Sequence, residues 1–293
     1  MAAGDRVTRP GHVQYGDFLM GPGTPYRWQS LTGWEDLPGL DSGTVLRADA
    51  HGAFPGQLLA QTRTVVLDGL IIRARRDSIG AAIAAVSTAT VPVDDELPLV
   101  AWLDERGPLL VRARATRRAI PVGRGYRAGT ITGGAIQWEA TDPRRYEMVE
   151  RTAAGGLPVA EPGLAWPLAW PLSFGTPGST GALTAANDGN APTHPVIEFR
   201  GPVARPSLTN VSSGDVLEYD LPLTARDVLT VDTSAGTVVL NGTASRIYTA
   251  TARSVPEQTF TFPPGPTPLI FRAAPGSSDP SSSATVRYRS AYW

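Results

Sequence analysis

The side chains that most often carry chemistry are scarce in this sequence. It contains no cysteine, and all 26 of its basic residues are arginine. Thiolate nucleophiles, disulfides and Schiff-base lysines are therefore excluded. Three histidines remain, His12, His51 and His194. His12 and His51 lie in loop-rich stretches, and neither belongs to an HxH or HExxH spacing that would set two ligands on one face. His194 stands before Pro195 at the entry of an expected strand. All three read as ordinary loop, surface or structural residues.

Three groups of carboxylates could in principle act as acids, bases or cation ligands. Asp94-Asp95-Glu96 lacks the alternation and the glycine of a calcium loop, and reads as a solvated linker between a helix and a strand. Glu218 and Asp220 alternate along an expected strand and so share a face, as paired acid and base work would need. Exposed strand charges are the commoner meaning of that pattern. Asp104-Glu105 sits in a turn. Nucleophile-elbow, P-loop and dinucleotide-binding motifs are absent, and the glycines of 123–134 lie among strands and a basic turn. The expectation is a protein that is not an enzyme, with no catalytic, cofactor-binding or metal-binding residues and no cofactor.

The sharpest local feature of the first half is basic: Arg112, Arg114, Arg117, Arg118, Arg124 and Arg127. Two readings are open. One is a positively charged strand face that meets nucleic acid. The other is a strand whose arginines pair with acids of a neighbouring subunit or with Asp94–Glu96 nearby. Residues 1–150 hold 17 arginines and 17 acids, and that balance favours the second. Arg112, Arg114, Arg117 and Arg118, with Trp166 and Trp170 further along, are the candidates for an assembly or pore surface.

The elements that must position these residues are mostly strands. Residues 1–60 are dense in glycine, proline and aromatics and read as short strands, such as Thr44–Arg47, between ordered loops. Arg63–Arg75 is a clearer strand, with Val65, Leu67 and Ile71 among its apolar positions and a turn or bulge at Asp68-Gly69. One helix follows over Asp77–Val86, with Ile79, Ile83 and Val86 on one face and Asp77 or Ser78 as the cap. Leu99–Leu103 and Leu109–Ala115 flank a polar hairpin turn, and the second of them sets Val111, Ala113 and Ala115 against Arg112 and Arg114. Ile131–Thr141 is the next strand.

Residues 151–186 change character. Proline and glycine punctuate them, and Trp166-Pro167 is echoed by Trp170-Pro171, a spacing no ordinary helix survives. They read as an extended connector. From Asn187 onward short β-runs recur between turns: His194–Arg200, Val216–Leu221, Val228–Asp232, Thr237–Leu240, Arg246–Tyr248, Gln258–Phe262, Thr267–Arg272 and Ala284–Tyr288. That is the pattern of a β-sandwich. The domains expected are therefore 1–150, a split β-barrel or sheet with one helix; 151–186, a connector; and 187–293, an antiparallel β-sandwich.

A chain of 293 residues, 42% hydrophobic, suffices for two such cores. Its longest apolar run, Ile79–Val86, is too short to span a membrane, and its polar start does not read as a secretory signal. The net charge of −1 gives no whole-molecule attraction to nucleic acid or to acidic membranes.

Taken in order, several segments resemble distal tail proteins of long-tailed phages. They are the strand from Ile136 to Arg144 with its Trp138 and Asp142-Pro143-Arg144, then Asn187-Asp188-Gly189-Asn190-Ala191 and His194-Pro195-Val196-Ile197-Glu198. Leu229–Thr233, Val238–Gly242, Phe262-Pro263-Pro264-Gly265 before Leu269-Ile270-Phe271, and the closing Val286–Trp293 complete the series. The resemblance covers most of residues 60–293. It implies a hexameric hub ring made by the N-terminal domains, with galectin-like sandwiches pointing outward, joining the tail tube to the tail tip or baseplate. It further implies tube, tape-measure and tail-tip proteins as partners, passage of DNA without sequence recognition, no membrane insertion, and residence in the virion after assembly in the host cytoplasm. The alternative is a carbohydrate-binding sandwich that recognises host-surface polysaccharide through Trp293, Tyr292, Tyr288 or Trp170.

Overall fold

The computed structural model describes residues 2–159 and 178–293. The chain forms two compact units, Met1–Met148 with Trp293, and Val149–Tyr292. Both are mainly β.

In the first unit the strands order as Phe18–Met20, His12–Tyr15, Leu97–Trp102, Pro108–Ala119, Thr130–Ala140, Arg63–Arg73 and Tyr26–Arg27, all pairings antiparallel. The two ends of this order meet: the Gly21 amide donates to the Tyr26 carbonyl at 2.7 Å, and the rings of Phe18 and Tyr26 lie 4.5 Å apart. The sheet thus nearly closes into a barrel, the economical way to leave few free edges. Inside it lie Val13, Tyr15, Val65, Leu67, Leu70, Ile72, Val111, Ile136 and Trp138, all but shut off from water. Each such side chain contributes roughly 1.5–3 kcal/mol through burial. Tyr15 packs its ring 5.6 Å from that of Trp138 and accepts the Ala115 amide on its hydroxyl at 3.1 Å; burial holds its pKa above the usual phenol range.

The bulge expected at Asp68-Gly69 is present. Leu70 pairs with Gly134 and Asp68 with Ala135, leaving Gly69 unpaired at φ +65°. An unpaired residue reverses the in–out parity of everything beyond it. Leu70 and Ile72 are therefore the buried residues, and Ile71, one of the apolar positions noted in the sequence, is only half-buried.

The helix runs Ile79–Ala89 and buries Ile79, Ala82 and Val86, with Ile83 half-buried. It starts later and ends later than expected, and no side chain caps its first turn. The Ser78 hydroxyl donates to the Arg75 carbonyl instead. At the other end the Thr90 amide and hydroxyl both donate to Val86 O, at 3.1 and 2.7 Å.

The second unit is a β-sandwich. One sheet orders Arg151–Gly156, Ser283–Tyr288, Val196–Arg200, Val228–Asp232, Thr237–Leu240 and Ala244–Ser245; the other orders Ala182–Asn187, Gly265–Arg272, Ser207–Asn210 and Val216–Glu218. Between them Phe199, Tyr219, Phe260, Phe262 and Phe271 are fully buried among Leu, Ile and Val. Two expected runs are not strands. Arg246–Tyr248 and Gln258–Phe262 contribute short 3-10 turns, Ile247–Thr249 and Glu257–Thr259. Their apolar residues mislead for opposite reasons: Tyr248 is exposed, whereas Phe260 and Phe262 plug the core from a connecting segment. Both ends of the expected connector, Arg151–Gly156 and Ala182–Asn187, are ladder strands of this sandwich. Alanine, glycine and threonine gave them too little alternation to be read as such.

Candidate assembly surface

The arginines of 112–118 do not share a face. Arg114 stands opposite Glu139 and Ala115 opposite Trp138, but Arg117 is opposite Gln137 and Arg118 opposite Ile136, so Thr116 is an extra residue. With the parity shifted, Arg112, Arg114 and Arg117 lie on the side away from the barrel interior and Arg118 on the other. Arg114 forms a cross-strand ion pair with Glu139 at 3.8 Å, of the exposed kind that adds little stability. Arg118 donates to Ser87 O at 3.0 Å and to Thr90 Oγ1 at 2.8 Å, so its cation serves the free carbonyl end of the helix. Arg112 and Arg117 are exposed. Trp166 and Trp170 lie outside the described residues.

Beyond Ala119 the chain leaves the sheet. Pro121–Ala128 is exposed throughout, including Val122, Tyr126, Arg124 and Arg127, and it contains the 3-10 turn Arg124–Ala128, closed by Gly129 at φ +78°.

A second exposed feature was foreseen from the sequence only as a short strand at Thr44–Arg47, not as an apolar hairpin. Leu40–Asp41 pairs with Leu59–Ala60, and Val45–Leu46 with Ala53–Phe54. The two ribbons form one hairpin arm that belongs to no larger sheet. Leu46 is 81% exposed, Val45 64% and Phe54 60%, and Leu37, Leu58 and Leu59 are similarly open. The available signal was that Leu, Val and Phe here neither alternate over a strand's length nor recur at helical spacing.

The arm is rooted in an ionic cluster in which Arg63 and Arg145 are buried and Glu35 and Arg106 are open to solvent. Arg63, 1% exposed, donates to Pro143 O at 2.6 Å, Gly33 O at 2.7 Å, Asp36 O at 2.8 Å and Trp34 O at 3.0 Å. Burial, with repulsion from Arg145, pushes its guanidinium down to about 10 against the pull of Glu35 and Asp36; it stays charged at neutral pH. Glu35 bridges Arg145 at 2.8 Å and Arg106 at 3.0 Å. Burial tends to raise Glu35, but the two arginines outweigh it and hold the carboxyl below its usual range. Hydrogen bonds from Arg106 hold the exposed Asp104 at about 2. A carboxyl depressed on folding binds fewer protons in the folded than in the unfolded chain, so stability falls as pH drops through the gap. The first unit is expected to weaken on acidification from about pH 4.5 towards 2, and Arg106→Ala to flatten that slope in a urea titration repeated across the range.

The carboxylates and histidines singled out from the sequence have structural partners. Glu218 is buried, accepting from Thr251 Oγ1 at 2.9 Å and Arg253 at 3.1 Å, while Asp220 pairs with Arg205 at 3.0 Å. They line an open groove of about 580 Å³ with Tyr248. Glu96 accepts the Thr141 amide at 2.7 Å, tying the Asp94–Glu96 stretch to the end of a strand rather than to the arginines. His12, expected in a loop, is a buried strand residue whose Nε2 donates to Pro22 O at 2.8 Å. Tyr288, a candidate sugar platform, is buried edge-to-face on Phe262, and its hydroxyl accepts the Ala186 amide at 2.7 Å.

Residues 188–292 match the family model for the siphovirus-type tail component, C-terminal domain. No curated protein sequence matches the chain. Among solved structures it is similar to the Dit protein of SPP1, described as a paradigm of the hub adsorption apparatus in phages infecting Gram-positive bacteria. The TM-score is 0.66 at 13% identity, over 94% of this chain and 97% of that one. The baseplate of phage P2 in its activated conformation with Ca gives 0.53 at 9% identity, and the same baseplate with Sr gives 0.52 at 9%, both with the same coverage. Residues 188–292 thus match a siphovirus-type tail component domain within a fold shared over nearly the whole chain with that of a phage hub protein, and the resemblance to distal tail proteins is borne out.

Proposed function

We propose that the chain is a structural hub of a phage tail tip: a distal tail protein whose N-terminal units close into a hexameric ring between the tail tube and the tip or baseplate. Tube, tape-measure and tail-tip proteins are its partners, and DNA passes through the ring without sequence recognition. It resides in the virion, having been assembled in the host cytoplasm. The observation that carries this reading is the tail-component match at 188–292 within a fold that follows a hub protein from end to end. The chemistry agrees with it: the candidate carboxylates are held by arginines and hydroxyls of their own sandwich, as structural charges are. Negative-stain microscopy of the purified chain is expected to show six-fold rings with a central opening. Monomers alone, both for the purified chain and after mixing with its tail tube protein, would remove the ring from the reading.

A further inference from the structure

The hairpin arm poses a physical problem. A two-stranded ribbon is marginal in water by itself, and this one turns nearly all its large side chains outward: Leu37, Val45, Leu46, Phe54, Leu58 and Leu59. Scattered exposed apolar residues are ordinary, but an apolar cluster concentrated on one thin projection marks a contact surface. Its charge is slightly acidic. Between Leu37 and Ala60 stand Asp41 and Asp49 against a single Arg47, whose guanidinium lies over the Phe54 ring at 4.8 Å.

The same unit leaves a second surface uncovered, and it is complementary. From Ala115 to Thr130 there are four arginines and no acid. Arg118 is engaged with the end of the helix, but Arg117, Arg124 and Arg127 have no ion pair or side-chain hydrogen bond among the described residues, and Val122 and Tyr126 are exposed among them.

We infer that the 37–60 arm of one copy packs on the exposed stretch from Pro121 to Ala128 of a second copy, with Asp41 and Asp49 facing Arg124 and Arg127. A second copy is the fitting occupant because every chain presents one arm and one complementary surface, and they are different. A contact between two unlike patches of identical chains runs head to tail, and it closes into a ring when its rotation divides the circle. Apolar side chains supply the association and the opposite charges set its register. The inference rests on the ring reading and names the contact that would close it.

The absence of cysteine makes the test direct. Leu46→Cys and Val122→Cys in one chain, oxidised and run without reductant, are expected to give a ladder extending past dimer; either single variant is expected to stop at dimer. In parallel, Leu46→Asp with Phe54→Ser should weaken self-association about tenfold or more while leaving the circular dichroism unchanged, and the thermal midpoint too when both chains are dilute enough to be monomeric, since neither side chain is buried. Arg124→Glu with Arg127→Glu should weaken it too, and adding Asp41→Arg with Asp49→Arg should recover it. If the unaltered chain forms rings and the arm variants do so equally, with no ladder, the arm contact is wrong and the ring stands. If the unaltered chain stays monomeric at every concentration, both alone and mixed with its tail tube protein, and no ladder forms, both fall.

Discussion

Arg63→Met lowers the stability of the N-terminal unit by an expected ~2–3 kcal/mol, about the cost of removing a charged donor from the backbone acceptors gathered around it. The guanidinium is the shared donor to four carbonyls that come from opposite directions, three from Gly33–Asp36 and one from Pro143. Methionine fills similar space and offers no hydrogen, so those carbonyls lose a charged donor that water replaces only in part. Glu35 is not orphaned, because Arg106 and Arg145 keep it; the loss is one of backbone partners rather than of charge pairing. Lysine should recover little, since a single ammonium cannot reproduce a planar fork spread over two chain segments. Urea unfolding gives the size of the effect. Hydrogen exchange gives its place: protection should be lost first over 33–36, at the root of the arm. A midpoint within about 0.5 kcal/mol of the parent, the range of ordinary surface changes, would mean that the cluster is incidental to the fold.

That root also shows where the sequence was legible and where it was not. Strands with a buried face and clean alternation were visible: Val228–Asp232 and Thr237–Leu240 occupy the expected residues, and the Asn241-Gly242 turn between strands has the positive φ values, 51° and 73°, that its residue types suggested. Parity was visible only up to a bulge. Gly69 and Thr116 each shift the register by one residue, and this changes which of Leu70 and Ile71 is core and separates Arg118 from Arg112 and Arg114. Nothing in residue type announced the second bulge. What the members of the basic stretch do depended on that single extra residue.

The arm and Arg63 were hidden for a different reason. An exposed apolar ribbon satisfies no folding requirement of its own chain, so patterning rules that assume burial have nothing to detect in it. Arg63 opens a strand that alternates in the ordinary way, and its role comes from carbonyls 27 to 80 residues away. Contacts at that separation follow from topology, which composition and period do not carry.

In the second unit the damaging substitutions are expected at one turn, and neighbouring residues in it should behave in opposite ways. Asn187 is wholly buried at the end of its strand: Nδ2 donates to Ala191 O at 2.8 Å and Phe262 O at 3.2 Å, and Oδ1 accepts the amides of Gly189 at 3.1 Å and Ala291 at 3.3 Å. One amide side chain therefore does the work of a missing piece of β-ladder, fastening the turn to two other segments. Leucine has nearly the same shape and none of that capacity, so Asn187→Leu strands two amide donors and the Ala191 carbonyl, while Phe262 O keeps the Thr193 amide, and should cost about 3–4 kcal/mol. Gly189 is needed for space: a Cβ there would lie 1.8 Å from the Ala291 carbonyl oxygen, a backbone atom that cannot swing aside. Gly189→Ala should cost about 3 kcal/mol or more. Asp188, between them, is exposed and pairs its carboxylate with Arg151, a contact worth little in water; Asp188→Ala should stay within about 0.5 kcal/mol of the parent. Hydrogen exchange over Gly265–Arg272 and Ser283–Tyr288 reads the unit without interference from the barrel. If all three substitutions proved equally mild, the turn would be a passive connection; if Asp188→Ala matched the other two, the surface ion pair and not the buried amide would be what fastens it.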